Sequence, residues 1–215
     1  MISFFLPFMR MSVKHTRNLA VGIGLVIFLY ACSTVAPRAV ENVVWDQQRE
    51  LLEKLGAWQL RGRVNVRYND ENNTPRIQWQ QLEEKYNIRL WGTFNTGNTR
   101  IIGEPGSVTM EHDGELFQAN TPEDIILQQL GYELPVSYLE YWIRGLPAPG
   151  SNADMTFNEL NQLSSMIQEG WTIRYIDPRQ YGELTLPRRV EVTRPQNDIR
   201  LRFVGLNWSL NPKVN

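Results

Sequence analysis

Cys32 is the only cysteine in the chain, and it stands where processing chemistry would need a thiol. It follows an apolar run of 13 residues, Leu19 to Ala31, that begins just after Lys14 and Arg17. A basic lead, a short apolar segment and a small residue before the cut describe a secretory signal peptide. The run is shorter than the roughly 17–25 residues of a membrane-spanning helix. A thiol at this point can be alkylated by a diacylglyceryl group, and cleavage before it exposes an amine open to palmitoylation. Leu29-Tyr30-Ala31-Cys32-Ser33 therefore reads as the processing site of a bacterial lipoprotein, with residues 1–31 removed. The alternative is an ordinary signal peptide with an incidental cysteine. Tyr30, bulkier than usual two residues before such a cysteine, speaks for that alternative. Met11 offers a second start that would give a more ordinary signal segment.

Other reactive side chains are sparse. His112 is the only histidine after residue 31, and it flanks Asp113-Gly114, a hairpin-turn pair. His-Asp beside a hairpin reads as a solvated turn rather than half of a catalytic triad. Glu83-Glu84 reads as a turn face. There is no Gly-x-Ser-x-Gly, phosphate-binding loop, metal-ligand cluster or free thiol. No catalytic residue, metal or cofactor is expected, and an enzyme is not indicated.

Removing residues 1–31 takes three basic and no acidic residues from the 22 basic and 23 acidic, leaving 19 against 23 and a formal net charge of −4. That mild acidity gives no electrostatic case for nucleic acid and marks no obvious charged docking face. The remaining 184 of 215 residues suit one domain with a sizeable core. No disulfide can form within the chain once Cys32 carries lipid, so packing must supply the stability.

Residues 32–44 are small, polar and proline-bearing at the start, and read as a tether. Serine at position 33 directs a lipoprotein outward, because aspartate there retains it at the inner membrane of enteric-type bacteria. Trp45, Gln48, Leu51, Leu52 and Leu55 then recur at helical spacing, with Gly56 as a stop. From Trp58 the rhythm becomes alternation. Leu60, Val64 and Val66 take one face against Arg61, Arg63, Asn65 and Arg67, and the pattern continues through Ile77-Trp79, Tyr86-Leu90, 99–103, 107–111 and 115–119. Thr121-Pro122-Glu123-Asp124 is a capped helix start, and Pro135 to Arg144 is a further helix. Residues 148–154 read as a loop. Strands are expected again over 160–168, 171–176, 188–193 and 199–204, with a turn at Gln196-Asn197-Asp198. The resulting expectation is α+β, with about ten or eleven strands in an antiparallel meander.

Seven tryptophans are spread over nearly every element. They can fill a core, or line an apolar cavity inside a curved sheet. The link Gly92 to Thr99 carries one aromatic, Phe94, which either folds back on the core or touches membrane or an apolar ligand.

Several stretches converge on one family. Cys32, the Trp45 helix, Trp79-Gln80-Gln81, Tyr86-Asn87-Ile88-Arg89-Leu90, Gly97-Asn98-Thr99, Pro105-Gly106 and Tyr141-Trp142-Ile143-Arg144-Gly145-Leu146-Pro147 together resemble the outer-membrane lipoprotein receptor LolB family. The resemblance covers nearly all of residues 32–210. It implies an open antiparallel half-barrel over residues 45–215, with helices plugging its mouth and an apolar cavity inside. It also implies partners: the periplasmic carrier LolA, the acylated lipoproteins it delivers, and the inner leaflet of a Gram-negative outer membrane that receives them. A monomer is expected. Trp45, Trp58, Trp79, Trp142 and Trp171 are the expected lining. The family's exposed loop leucine corresponds to Thr96, so Phe94 is expected to take its role. The other readings are a lipid-anchored module for another apolar ligand, such as a phospholipid or glycolipid, and a structural envelope protein with a filled core.

Overall fold

Alternation along the strands builds one sheet with an apolar inner face and a polar outer face. The computed structural model describes residues 43–92, 98–194, 196 and 198–212. The signal segment, Cys32, Ser33, Phe94, Thr96 and Asn197 of the expected turn lie outside the described residues. In chain order the elements are α1 (Val43–Glu53), β1 (Ala57–Tyr68), β2 (Glu71–Asn73), β3 (Arg76–Leu82), β4 (Lys85–Trp91), β5 (Thr99–Glu104), β6 (Ser107–His112) and β7 (Glu115–Ala119). There follow α2 (Pro122–Leu130), α3 (Val136–Trp142), β8 (Asp154–Phe157), β9 (Leu163–Gln168), β10 (Trp171–Tyr181), β11 (Leu184–Arg194) and β12 (Ile199–Leu210).

The strand order is β7-β6-β5-β4-β3-β1-β12-β11-β10-β9-β8, with β2 added beside β1. Every pairing is antiparallel. The first and last strands meet at the centre, with Val64 opposite Phe203. The two edges, β7 and β8, are consecutive in the chain. The connection between them must therefore cross the open side of the sheet, and it carries α2 and α3. Ile125 and Ile126 of α2, Leu139 and Trp142 of α3, and Ile143 share one apolar cluster with the inner faces of the strands.

Local chemistry fixes these helices as the sequence indicates. Thr121 Oγ1 accepts from the Asp124 N–H at 3.2 Å, Pro122 opens α2, and Gly131 ends it in the left-handed conformation. The other helix, α1, is held to β11 by one glutamine. Gln48 donates to the Thr185 carbonyl at 2.8 Å and accepts from the Thr185 N–H at 3.1 Å, so an amide side chain replaces a strand neighbour.

Twelve strands replace the expected ten or eleven. β2 is a three-residue pairing between the strands expected at Val66 and at Ile77-Trp79, and β8 begins at the end of the expected loop 148–154. The strand expected from Leu160 starts instead at Leu163. Asn158 Oδ1 accepts from the N–H groups of Leu160 and Gln162, both at 3.0 Å, and holds 158–162 as a turn. β10 and β11 run past their expected limits because Pro178 and Pro187 face each other across the ladder. β12 continues past Val204 through a bulge at Gly205, where φ is +63°. The bulge shifts the inward set from Ile199, Leu201 and Phe203 to Leu206 and Trp208.

Gly103 has a different task. A Cβ there would collide with the Tyr86 ring, which lies across the glycine from the neighbouring strand. Gly103→Ala is expected to destabilise the fold by about 1–3 kcal/mol. Urea unfolding checks this, and Tyr86→Leu in the same chain should restore part of the loss.

Candidate functional site

The site lies where α2 and α3 cover the inner face. Its mouth is a groove of about 350 Å³ walled by Trp79, Tyr86 and Val108 from the sheet and by Pro122, Val136, Tyr138 and Tyr141 from the helical segment, with Glu84, Glu104 and Glu140 among its lining residues. Aromatic walls give a large apolar contact surface at small entropic cost, and the acids mark the wet edge.

Behind the groove the tryptophans pack against one another. Trp79 lies 6.5 Å from Tyr86 and 5.5 Å from Trp58, and Trp58 lies 5.6 Å from Trp208. A second group joins Tyr138, Trp142 and Trp171 at 5.3 and 6.1 Å. Trp45 stands apart, against Phe157 at 5.8 Å under α1. The five expected lining residues thus fall into two inner groups and one outlier. All are buried, Trp58 and Trp142 completely, so the interior is closed around those two rings in this conformation. Trp91, grouped by sequence with the others, sits half-buried on the outer face, opposite Arg76.

Three buried polar residues, none of them expected at the site from the sequence, organise this interior. Gln168 Oε1 accepts from the Trp142 indole N–H at 2.7 Å and from the Ala148 N–H at 2.9 Å. Its amide nitrogen donates to the Ala148 carbonyl at 2.8 Å and the Ser151 carbonyl at 3.0 Å. It therefore pins both the covering tryptophan and the loop after α3 to β9. Gln81 accepts from the Trp79 indole N–H at 2.8 Å and donates to the Glu83 carbonyl at 2.7 Å. Arg144 donates to the Leu52 carbonyl in α1 at 3.1 Å and to the Glu140 carbonyl at 3.0 Å, and lies 5.5 Å over the Trp58 ring. One guanidinium thus ties the end of α3 to the end of α1 across an aromatic face. A polar residue in the inward phase of a strand, or a cation within an apolar helix end, was the available sequence signal. Near the groove, the Trp58 indole N–H and the buried Tyr86 hydroxyl remain without partners among the described residues.

His112 and Asp113 sit at the β6–β7 hairpin, 3.8 Å apart, with Thr99 Oγ1 at 2.8 Å from His112 Nδ1. Glu83 and Glu84 form the β3–β4 turn.

The sequence model of the family described as outer membrane lipoprotein LolB matches residues 56–208. The outer-membrane lipoprotein LolB of Chromohalobacter salexigens is 38% identical over 192 residues, covering 88% of this chain and 89% of the relative. This chain belongs to the LolB family. The LolB of Stutzerimonas stutzeri is 31% identical over 190 residues, covering 86% and 91%. LolB proteins are lipoprotein-localisation receptors and not enzymes. Among solved structures, a LolA superfamily protein from Nitrosomonas europaea superposes with a TM-score of 0.51 at 9% identity, covering 80% of this chain and 93% of that one. That likeness concerns the fold: the open sheet covered by helices is common to both. Among the described residues of this LolB chain, no helix is long and apolar enough to cross a membrane.

Glu140 links the groove to the Arg144 tie. Burial raises its pKa above the usual 4.5, Arg144 at 3.5 Å opposes the rise, and Glu84 adds to it. The folded state therefore keeps a proton that the unfolded chain has released. The contribution is fully present below about pH 4.5 and is lost as pH climbs through the raised value. Stability relative to Glu140→Gln should fall over that interval, as measured by urea unfolding at a series of pH values. Parallel profiles for the two proteins would contradict the assignment.

Proposed function

We propose that this chain is the outer-membrane receptor of lipoprotein sorting. Anchored through the acyl groups on Cys32 and facing the periplasm, it accepts acylated lipoproteins from the carrier LolA and inserts them into the inner leaflet of the outer membrane. Residues 1–31 are the removed signal peptide, residues 32–44 are the tether, and residues 45–215 are the receptor domain. Ser33 sends the protein outward, and it acts as a monomer.

The observation that carries this reading is the aromatic groove leading to an apolar, helix-covered interior in a member of the LolB family. The physics needs nothing more reactive. Each acyl methylene exposed to water costs about 0.8 kcal/mol, so a chain of a dozen or more must stay covered in transit. Transfer proceeds downhill without nucleotide hydrolysis if the receptor binds the chains more tightly than the carrier and the membrane holds them more tightly still. Because the interior is closed around Trp58 and Trp142 here, uptake requires the α2–α3 cover to shift away from the sheet. The Tyr86 hydroxyl and the Trp58 N–H are then the donors positioned to receive acyl ester carbonyls.

Phe94 takes the part of the loop leucine in this family, since Thr96 at the matching position is not apolar. A Cys32→Ala chain should capture a lipoprotein from its carrier in solution, read by co-elution of cargo. In the anchored protein, Phe94→Glu should leave capture unchanged and reduce delivery to liposomes by about tenfold or more, because a carboxylate does not enter the bilayer readily. Failure to capture cargo would contradict the receptor reading, and capture of free phospholipid in its place would favour a general lipid-binding module. Unchanged delivery would remove the role assigned to Phe94.

A further inference from the structure

The outer face of the sheet carries a charge pattern that the net charge conceals. The alternation that buries Leu60 and Val64 turns Arg61 and Arg63 outward, and the same phase exposes Arg76, Arg89 and Arg100. Register brings these together. Arg63 is directly opposite Arg76, Arg89 is directly opposite Arg100, and Gln78 lies opposite both Arg61 and Arg89. Like charges placed directly across a strand pair cost stability. Elsewhere on this face the sheet avoids that cost: Glu191 takes Arg200 at 3.3 Å and Arg202 at 3.0 Å, and Lys85 takes Glu104 at 2.9 Å. Among the described residues Arg61, Arg63, Arg76, Arg89 and Arg100 have no carboxylate within ion-pair distance. Arg100 donates to Asn87 at 3.3 Å, and Glu111, opposite Arg100, is the acid nearest in register.

The patch also has shape. A concavity of about 420 Å³ opens between Arg89 and Arg100, with Gln78, Gln80, Asn87, Trp91 and Glu111 among its lining residues. Guanidinium forks and side-chain amides match the oxygens of a phosphate, which arginine binds in bidentate fashion. A half-buried tryptophan at the same site suits the headgroup region of a bilayer. Glu111, opposite Arg100, is the acid on the concavity's wall, against two arginines there, while Glu84 and Glu140 line the groove.

We propose that this arginine face docks the anchored protein onto the phosphate groups of an anionic phospholipid bilayer. The inference rests on the reading that Cys32 holds the chain at a membrane. The tether alone fixes distance but not orientation. Several exposed arginines on one side, each attracted to an anionic surface within a Debye length, would fix orientation as well.

The test uses the lipid-anchored full chain on vesicles of phosphatidylcholine, with and without phosphatidylglycerol. Gln80→Cys, carrying an environment-sensitive fluorophore, reports from the concavity. The expected result is a blue shift on phosphatidylglycerol vesicles that is absent on neutral ones and reversed by about 0.5 M salt. The shift should be lost in Arg63→Gln/Arg89→Gln/Arg100→Gln, with lipoprotein capture unchanged. Relief of opposed charges should leave the Tm of that variant at or above the parent's. Equal emission on both vesicles, or a shift that survives in the variant, would overturn the proposal. A Tm several degrees lower would mark the arginines as structural and overturn it too. A matching shift on neutral vesicles with added inorganic phosphate or polyglutamate would overturn the lipid assignment in favour of a free anion or an acidic protein. Release from both vesicle types would defeat the anchoring reading and take this proposal with it.

Discussion

A twelve-stranded sheet that does not close leaves one apolar face that must be covered, and the order of strands decides what covers it. With β7 and β8 at opposite edges, the chain between them has to cross the concave side. Sequence then makes that crossing adhesive, through Ile125, Ile126, Leu139, Trp142 and Ile143. Among the described residues the covering segment is held by a few polar ties: Gln168 on Trp142, Arg144 on the Leu52 carbonyl, Glu133 with Arg194 of β11 at 3.9 Å, and the Glu123 carboxylate on Ser137, the last binding α2 to α3. The remaining grip is apolar contact, which an acyl chain can replace in kind. A cover of that sort protects the interior in water and yields to a ligand of the same chemistry.

Much of this was legible in the residues. Period-two alternation located the inner face of β1, and Thr121-Pro122 marked the start of α2. Asp113-Gly114 marked a hairpin. The losses have specific physical causes. A bulge at Gly205 reverses the phase within β12, so a strict alternation rule stops at Val204. Pro178 and Pro187 look like breakers until the ladder shows them opposite each other. Tryptophan content could not separate a cavity from a packed interior, because both use the same residues. The buried ties of Arg144 and Gln168 were not legible because each residue is polar within an apolar pattern, where its partners are invisible. The arginine face vanished into a formal net charge of −4, since register, and not composition, brings Arg63 against Arg76 and Arg89 against Arg100.

On the proposed function, the two ends of the problem fall on separate faces of one sheet. The inner face and its groove offer apolar surface to a lipid chain. The outer face offers guanidinium groups to lipid phosphates. Strand pleating generates both from the same strands, since each position that turns an aliphatic inward turns its neighbour outward. On that reading the covalent anchor would set the location, and the sheet would supply the chemistry of handling and seating.

The central claim is that acyl chains enter between the sheet and its helical cover. It is tested most directly by following the indole N–H resonances of the ¹⁵N-tryptophan protein during titration with an N-palmitoylated peptide. The account predicts large shifts for Trp58, Trp79 and Trp142, with loss of the Trp142–Gln168 hydrogen bond, and an unmoved Trp91. Saturable binding that leaves those three interior indoles unchanged would contradict it.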